Sequence, residues 1–352
     1  MKKYKVGMVG VGRGTAYGRI FTNHPETEVV ALCDMNQESL EKNGKDFNLA
    51  DNCLFENYED FINADLDIVV LGTPIPFHAE QTIKGLEAGK HVLCEVTASN
   101  TIESCQKMVE AVRKAKTKFM MAENCNYMHF VMEWDKYIKA GKIGTPFYAE
   151  AEYVHEIRQL VNGKWRANRA PLHYCSHSLG PVLKWMDDYV VRCTASGNHH
   201  SLEPATDGNI DIQVALFETA KGATIKLLRS SVALRHPALC SYNIIGTKGF
   251  LESSRTGYDG AGLRYFEDHD NKEQGAKIGI HTTDIDAPAE ATAGGHGSSE
   301  FYLVRDFLQS IDNDTTPPID IVRAMDMTVP GLIAHEAAMK GGVWLDVPRL
   351  TD

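Results

Sequence analysis

The chain has 352 residues, 43% hydrophobic and 24% charged, about twice the length of a usual single domain, which predicts two globular domains and excludes a disordered chain or a small disulfide scaffold. Lys and Arg number 36 against 47 Asp and Glu, a formal charge of −11, and with no basic run this argues against nucleic acid and anionic membrane as partners. The eight cysteines are scattered singly, without C-x-x-C pairs or zinc spacing, and read as buried apolar residues in a reducing compartment.

Lys2 and Lys3 open the chain, but Gly7, Gly10, Gly12 and Gly14 interrupt the apolar stretch that follows, unlike a signal-peptide core. No run reaches the ~18 apolar residues that span a bilayer, so the cytoplasm is the expected location. Short apolar runs at Tyr4 to Val9, Glu28 to Cys33, Asp67 to Leu71, His91 to Cys94 and Lys118 to Met121 alternate with amphipathic stretches of helical length. That alternation predicts a parallel sheet with crossover helices, a doubly wound α/β domain over residues 1–123. Asn36 ahead of Gln37 and Glu38, and Asn100 with Glu103 three residues on, are the expected helix caps.

From about residue 146 the texture becomes strand-like: Phe147 to His155, Tyr189 to Ser196, Ile210 to Phe217, Ala223 to Ser231 and Ser241 to Ile245. These predict an α+β domain over residues 124–352 built on a mainly antiparallel sheet. Residues 254–299, rich in Gly, Asp, Ser and Thr, are expected to form long surface connections. Ser298 or Ser299 then caps a helix presenting Phe301, Val304, Phe307, Leu308 and Ile311. A last helix from about Asp320 to Met339, bent or broken near Pro330, is expected to pack back on the first domain, before a final strand at Val343 to Val347.

Directly after the first strand stands Gly10-Val11-Gly12-Arg13-Gly14-Thr15, close to the G-x-G-x-x-G fingerprint with its third glycine one place early. Glycines there permit a tight turn and let a helix N-terminus approach a pyrophosphate. Asp34 ends the second strand about the expected ~20 residues later, where a carboxylate accepts hydrogen bonds from the adenosine ribose. Met35 and Asn36 follow rather than Arg or Lys, which favours NAD over NADP.

The next strand ends read Gly72-Thr73-Pro74-Ile75-Pro76-Phe77-His78 and Cys94-Glu95-Val96-Thr97. With these the chain resembles the Gfo/Idh/MocA oxidoreductase family over nearly its whole length, which implies an N-terminal Rossmann domain and a substrate and oligomerisation domain after it. In that family the first motif lies along the dinucleotide, so the resemblance places Thr73, Pro74 and His78 there. The second usually reads Glu-Lys-Pro, its lysine hydrogen-bonding the reacting hydroxyl. Here the matching positions are Glu95, Val96 and Thr97, and a valine carries no proton.

Met120-Met121-Ala122-Glu123-Asn124-Cys125-Asn126-Tyr127, Ala151-Glu152-Tyr153-Val154-His155-Glu156-Ile157-Arg158, Trp165-Arg166 and Leu172-His173-Tyr174-Cys175-Ser176-His177-Ser178-Leu179-Gly180-Pro181 look like the branch of NAD-dependent glycoside hydrolases that includes bacterial α-N-acetylgalactosaminidases. That branch also lacks the lysine and carries Tyr-x-x-His before Leu-Gly-Pro. The resemblance implies tightly held NAD, a carbohydrate substrate and a homo-oligomer, dimer or tetramer. Its implied cofactor residues are Gly10, Gly12, Arg13, Gly14, Thr15, Asp34, Thr73, Pro74, His78, Glu95, Val96, Asn124, Trp165 and Arg166.

The residues suit such chemistry. Removing hydride from a sugar carbon leaves a ketone that acidifies the neighbouring C–H; a modest base then takes that proton, the β-positioned glycosidic oxygen leaves, water adds and the hydride returns. The cycle needs a group for the hydroxyl proton, a base for the C–H and an acid for the leaving oxygen. His177 titrates nearest neutrality and is the first choice; Tyr174, three residues earlier, shares its face if the segment is helical. Tyr153 is the expected proton donor or acceptor near the sugar, and Glu123 orients hydroxyls or acts as a base if burial raises its pKa. Arg158, His155, His173 and His236 receive no role beyond a sugar contact, and no metal is expected. Two alternatives stay open: a conventional NAD-linked sugar or polyol dehydrogenase, and a non-catalytic NAD-loaded binding protein.

Overall fold

The computed structural model describes residues 3–157, 169–198, 201, 210–257 and 259–352. The chain forms two compact units. The first gathers Met1–Tyr127, Thr283–Met325 and Leu350–Asp352; the second holds Met128–Thr282 and Asp326–Arg349. A single boundary after residue 123 therefore does not describe the units, because a late segment returns to the first.

Within the first unit, strands β1 (Tyr4–Val9), β2 (Thr27–Cys33), β3 (Leu54–Phe55), β4 (Ile68–Leu71), β5 (His91–Cys94) and β6 (Phe119–Met121) form one sheet in the order β3-β2-β1-β4-β5-β6. Every pairing is parallel. Buried on both faces, such strands need near-continuous apolar runs, and β4 reads Ile-Val-Val-Leu throughout. Crossovers are made by α1 (Val11–Asn23), α2 (Gln37–Asp46), α3 (Tyr58–Ile62), α4 (Ile75–Glu87) and α5 (Ile102–Lys114). Asn36 caps α2 as expected, its side chain accepting from Ser39 N at 2.8 Å. On α5 the cap is Thr101 rather than Asn100: its hydroxyl accepts from Ser104 N at 3.1 Å. The strand order reverses between β1 and β4, and in open α/β sheets ligands bind outside the carboxyl ends of the strands at that switch point.

The second unit is built on a nine-stranded sheet. After α6 (His129–Lys139) come β7 (Pro146–Val154), α7 (Ser176–Met186), β8 (Val190–Gly197), β9 (Ile212–Thr219), β10 (Thr224–Ser230), β11 (Leu239–Gly246), β12 (Gly249–Glu252), β13 (Gly260–Phe266) and β14 (Ala276–Ile280). With β15 (Leu345–Asp346) the order is β14-β13-β12-β11-β7-β10-β9-β8-β15. Only β7 and β10 run parallel; the other pairings are antiparallel, as expected. One face of β7 and β11 is covered by α7, against which α6 also packs. That face carries Ala149, Ala151, Tyr242 and Ile244, all buried.

Residues 254–299 were expected to be connections, yet they supply β13 and β14. Their glycines hide the strand pattern: a Cβ on Gly262 would stand 2.2 Å from the Glu252 carbonyl oxygen, so glycine there serves close strand approach. Helix α8 (Ser299–Asp312) begins where expected, but Ser298 does not cap it through its side chain; its Oγ accepts from Asp284 N at 2.9 Å instead. α8 packs on α1 in the first unit. The last helix, α9 (Ile321–Met339), runs unbroken through Pro330, and the segment that returns to the first unit is 283–325, containing α8, rather than α9 as a whole. The final strand is only the two residues of β15. No helix among the described residues is long and apolar enough to cross a membrane.

Candidate active site

In the first unit the site is built at the switch point. Gly10 follows β1 in the left-handed region at φ 77, and a Cβ on it would stand 2.6 Å from the Gly72 carbonyl carbon and oxygen. The turns after β1 and β4 therefore touch backbone to backbone. Gly12 is the opposite case, with no heavy atom within 4 Å of where its Cβ would stand. Helix α1 starts there with no side-chain cap and no acidic residue in its first turn. Open space before a helix N-terminus whose N-cap, Gly10, has no side chain fits a pyrophosphate, whose charge the amides and helix dipole favour. Asp34 sits beside it: Oδ2 accepts from Val11 N at 2.9 Å and Oδ1 from Asn36 N at 2.8 Å. The residues present fit a dinucleotide.

Around this turn the structure gathers other expected residues. Thr73 donates through Oγ1 to Gln81 Oε1 at 2.6 Å, and Pro74 precedes α4 as its N-cap. His78 is buried, its Nδ1 2.7 Å from the Thr97 carbonyl oxygen and its Nε2 2.7 Å from that of Thr73. It therefore ties the loop after β4 to the loop after β5. Val96 is buried and its N–H donates to Glu95 Oε2 at 3.0 Å. Thr15, Glu123 and Asn124 are buried; Glu123 Oε1 accepts from Cys125 N at 3.0 Å.

Arg13 does not stand alone beside the glycines. Its Nε lies 2.5 Å from Glu95 Oε1 and its Nη2 3.4 Å from Glu300 Oε1, and His296 Nδ1 is 2.6 Å from the same Glu300 oxygen. Burial pushes the Glu300 carboxyl up, but His296 and Arg13 outweigh it and hold the pKa below the ordinary value. The buried Tyr17 phenol is raised well above its usual range, by burial first and then by Glu95. Sequence reasoning missed Glu300 and His296, because their partner lies nearly three hundred residues upstream; the Gly294-Gly295-His296-Gly297 run was the available signal, and a Cβ on Gly294 would collide with the Glu300 side chain at 2.7 Å.

The second unit brings together Tyr153, Tyr174 and His177. Tyr174 ends a 3-10 turn, Pro171–Tyr174, and His177 lies in the first turn of α7. The two do not share one continuous helix, yet the junction places Tyr174 OH 3.1 Å from His177 Nε2. Tyr153, on β7, stacks obliquely on His177 with ring centroids 5.1 Å apart, and its OH is 3.5 Å from His155 Nδ1. His177 is held by its backbone, its carbonyl accepting from Tyr242 OH. His173 packs edge-on against His335, with ring centroids 4.7 Å apart. Its pKa falls to about 4 through burial, then the charges of His335 and Arg169. Trp165, Arg166 and Arg158 lie outside the described residues.

Residues 4–123 match the family described as "Oxidoreductase family, NAD-binding Rossmann fold", that is Gfo/Idh/MocA, and residues 186–352 match "Glycosyl hydrolase 109, C-terminal domain". The chain joins a Gfo/Idh/MocA NAD-binding Rossmann domain to a glycosyl hydrolase 109 C-terminal domain. It is an enzyme whose cofactor is NAD. A glycosyl hydrolase family 109 protein of Solibacter usitatus is 27% identical, the match covering 99% of this chain and 88% of that protein. The alpha-N-acetylgalactosaminidase of Shewanella oneidensis is 26% identical over 100% of this chain and 86% of its own length. Among solved structures, levoglucosan dehydrogenase in complex with NADH and L-sorbose superposes with a TM-score of 0.85 at 20% identity, covering 99% of this chain and 100% of that one. That likeness shows the shared fold.

Proposed function

We propose that this Gfo/Idh/MocA enzyme cleaves a glycoside with NAD held throughout and no net oxidation. The observation that carries the reading is the pairing of Tyr174 with His177, beside Tyr153, in a chain with buried Val96 where the family's proton-carrying lysine would stand. Relatives named glycosyl hydrolase family 109 and alpha-N-acetylgalactosaminidase support it. Gly10, Gly12, Gly14 and Thr15 would hold the pyrophosphate, Asp34 the adenosine ribose, and Thr73, Pro74, His78, Glu95, Val96 and Asn124 the walls beyond, with Arg13 fixed by its carboxylates; Trp165 and Arg166 complete the set. Bound NAD supplies a reversible hydride store that makes the sugar C3 a ketone and restores it.

The remaining chemistry is proton transfer by the chain's own groups. The C3 hydroxyl proton passes to one member of the Tyr174–His177 pair, whose 3.1 Å separation lets a proton move between phenol and imidazole. The C2–H, acidified by the neighbouring ketone, gives its proton to His177 or Tyr153. The bond from C1 to the glycosidic oxygen then breaks, and that oxygen takes a proton from the same group. Water adds at C1, its proton passing to that group and from there to C2, so the new C2–H carries a solvent proton, and the Tyr174–His177 pair returns the hydroxyl proton to the C3 oxygen as the hydride comes back. Glu123 orients sugar or cofactor hydroxyls. The test is an aryl glycoside assay: phenol release without accumulating NADH is expected, whereas stoichiometric NADH without phenol would establish a dehydrogenase.

Asp34→Ala is expected to weaken NAD more than sugar, because it removes the ribose acceptor and frees the Val11 amide it now holds. The loss should be roughly tenfold or more in calorimetric affinity, about the 1.5–3 kcal/mol of hydrogen bonds to a charged group. Equal loss for both ligands would contradict the assignment.

We also place the enzyme in a reducing compartment, the cytoplasm, because its eight cysteines are scattered singly along the chain and seven of them are buried, and propose a homo-oligomer. On the outward side of the second sheet Val214 and Leu216 are each 39% exposed, with Leu228 beside Val214 in register. Apolar residues grouped on one sheet face mark an association surface. Leu216→Lys is expected to lower the mass seen by light scattering; a monomeric parent protein would contradict this.

A further inference from the structure

We infer that Arg229 is the positioning residue that sets both active-site phenols and biases them toward accepting protons. Arg229 lies on β10 with Ile225 and Leu227 on the inward, apolar side, opposite Tyr153 of β7 in the parallel register. It is 1% exposed, among the largest fully buried side chains described. A guanidinium cannot shed its proton and is costly to bury, so a strand places one inward only where its charge and forked donors are used.

Here both are directed at the same two tyrosines. Nε donates to the Tyr174 carbonyl at 3.1 Å and Nη1 to the Tyr153 carbonyl at 3.2 Å, with Nη1 also donating to the Ser230 carbonyl. One planar group thus fixes the main chain of the 3-10 turn against that of β7, although the two residues come from separate segments. The guanidinium carbon also stands 4.6 Å from the Tyr153 ring centroid and 5.3 Å from that of Tyr174. A cation over a phenol ring favours the electron-rich phenolate over the neutral phenol.

The other titratable and charged groups around the phenols come from neighbouring elements. Arg169 stands over the Tyr174 ring at 3.7 Å; His177 reaches in from α7; His155 lies past the end of β7; Cys240 and Tyr242 come from β11. The two described guanidiniums act in the same direction. A phenol held partly as phenolate can take the substrate proton and return it to the leaving oxygen, leaving the arginine unchanged.

This inference rests on the proposed proton-shuttle role of the phenols, and its test reads the phenols themselves. In holoenzyme labelled with carbon-13 at tyrosine Cζ, the signals lost in Tyr153→Phe and Tyr174→Phe identify the two residues. They are expected to titrate below the ordinary ~10 of a phenol despite burial, and Arg229→Met should raise them by about one pH unit or more. Arg229→Lys, which keeps the charge but not the fork, should keep most of the lowering while kcat falls through lost alignment. Parent phenols titrating at or above the ordinary value, or a folded Arg229→Met protein with unmoved phenols, would overturn the inference. If Arg229→Met does not fold, the parent and Arg229→Lys titrations decide it. Lowered phenols in a protein that releases no aryl alcohol would uphold Arg229 and overturn the glycosidase reading; ordinary phenols in an active glycosidase would do the reverse.

Discussion

His177→Ala is expected to lower kcat for glycoside cleavage by roughly 10²–10⁴-fold, the usual range for loss of a positioned acid–base group, while the purified protein keeps its NAD. The imidazole is the partner of the Tyr174 hydroxyl at 3.1 Å and a neighbour of the Tyr153 ring, so its removal breaks the proton path from both sides. The substitution spares the surrounding structure. Tyr242 bonds the His177 carbonyl rather than its ring, and alanine is well suited to the first turn of α7. Steady-state rates with NAD content measured on the same sample would check the effect. Undiminished turnover would remove His177 from the mechanism.

Gly10→Ala should act on the other half of the chemistry and by a different route. Gly10 has φ 77, and its added methyl would meet the Gly72 backbone at 2.6 Å and Thr73 N at 2.7 Å. Neither neighbour is the tip of a flexible side chain, so the turns after β1 and β4 must separate. The left-handed conformation alone costs about 1–2 kcal/mol for an L residue, and overpacking adds about 1–3 kcal/mol. The expected result is a Tm several degrees lower and NAD lost on gel filtration, with addition of excess NAD restoring only part of the activity. A variant that copurifies with full NAD and an unchanged Tm would show that the two turns are not in the contact described.

Much of the first unit was legible because a parallel sheet buries its strands on both faces, leaving short apolar runs such as Ile68–Leu71 that stand out from amphipathic helices. Asp34 was legible for the same reason: it falls where β2 stops. Strands β13 and β14 were not, because Gly260, Gly262, Gly275 and Gly279 dilute the alternation, the last three where neighbouring backbone or side chains leave little room for a Cβ. The Tyr174–His177 pair was anticipated from its spacing, but as one helical face; in the structure a 3-10 turn meets a helix, and the spacing works through that junction. Arg229 carried a signal that went unread, since it keeps the parity of Ile225 and Leu227 in β10 and so had to point inward. Glu300 and His296 had no local signal of comparable strength, because their purpose is set by Arg13 at the opposite end of the chain.

The central claim is that hydride leaves and returns to one sugar carbon while a proton at its neighbour passes through the enzyme. The most direct measurement is the fate of isotope in an aryl glycoside carrying deuterium at C3, turned over in heavy water by the protein as purified. The sugar product is expected to keep its C3 deuterium and to gain solvent deuterium at C2, with NAD unchanged in amount and redox state. Cleavage that leaves C2 free of solvent isotope, or a product that leaves as a ketone with stoichiometric reduced cofactor, would contradict the account.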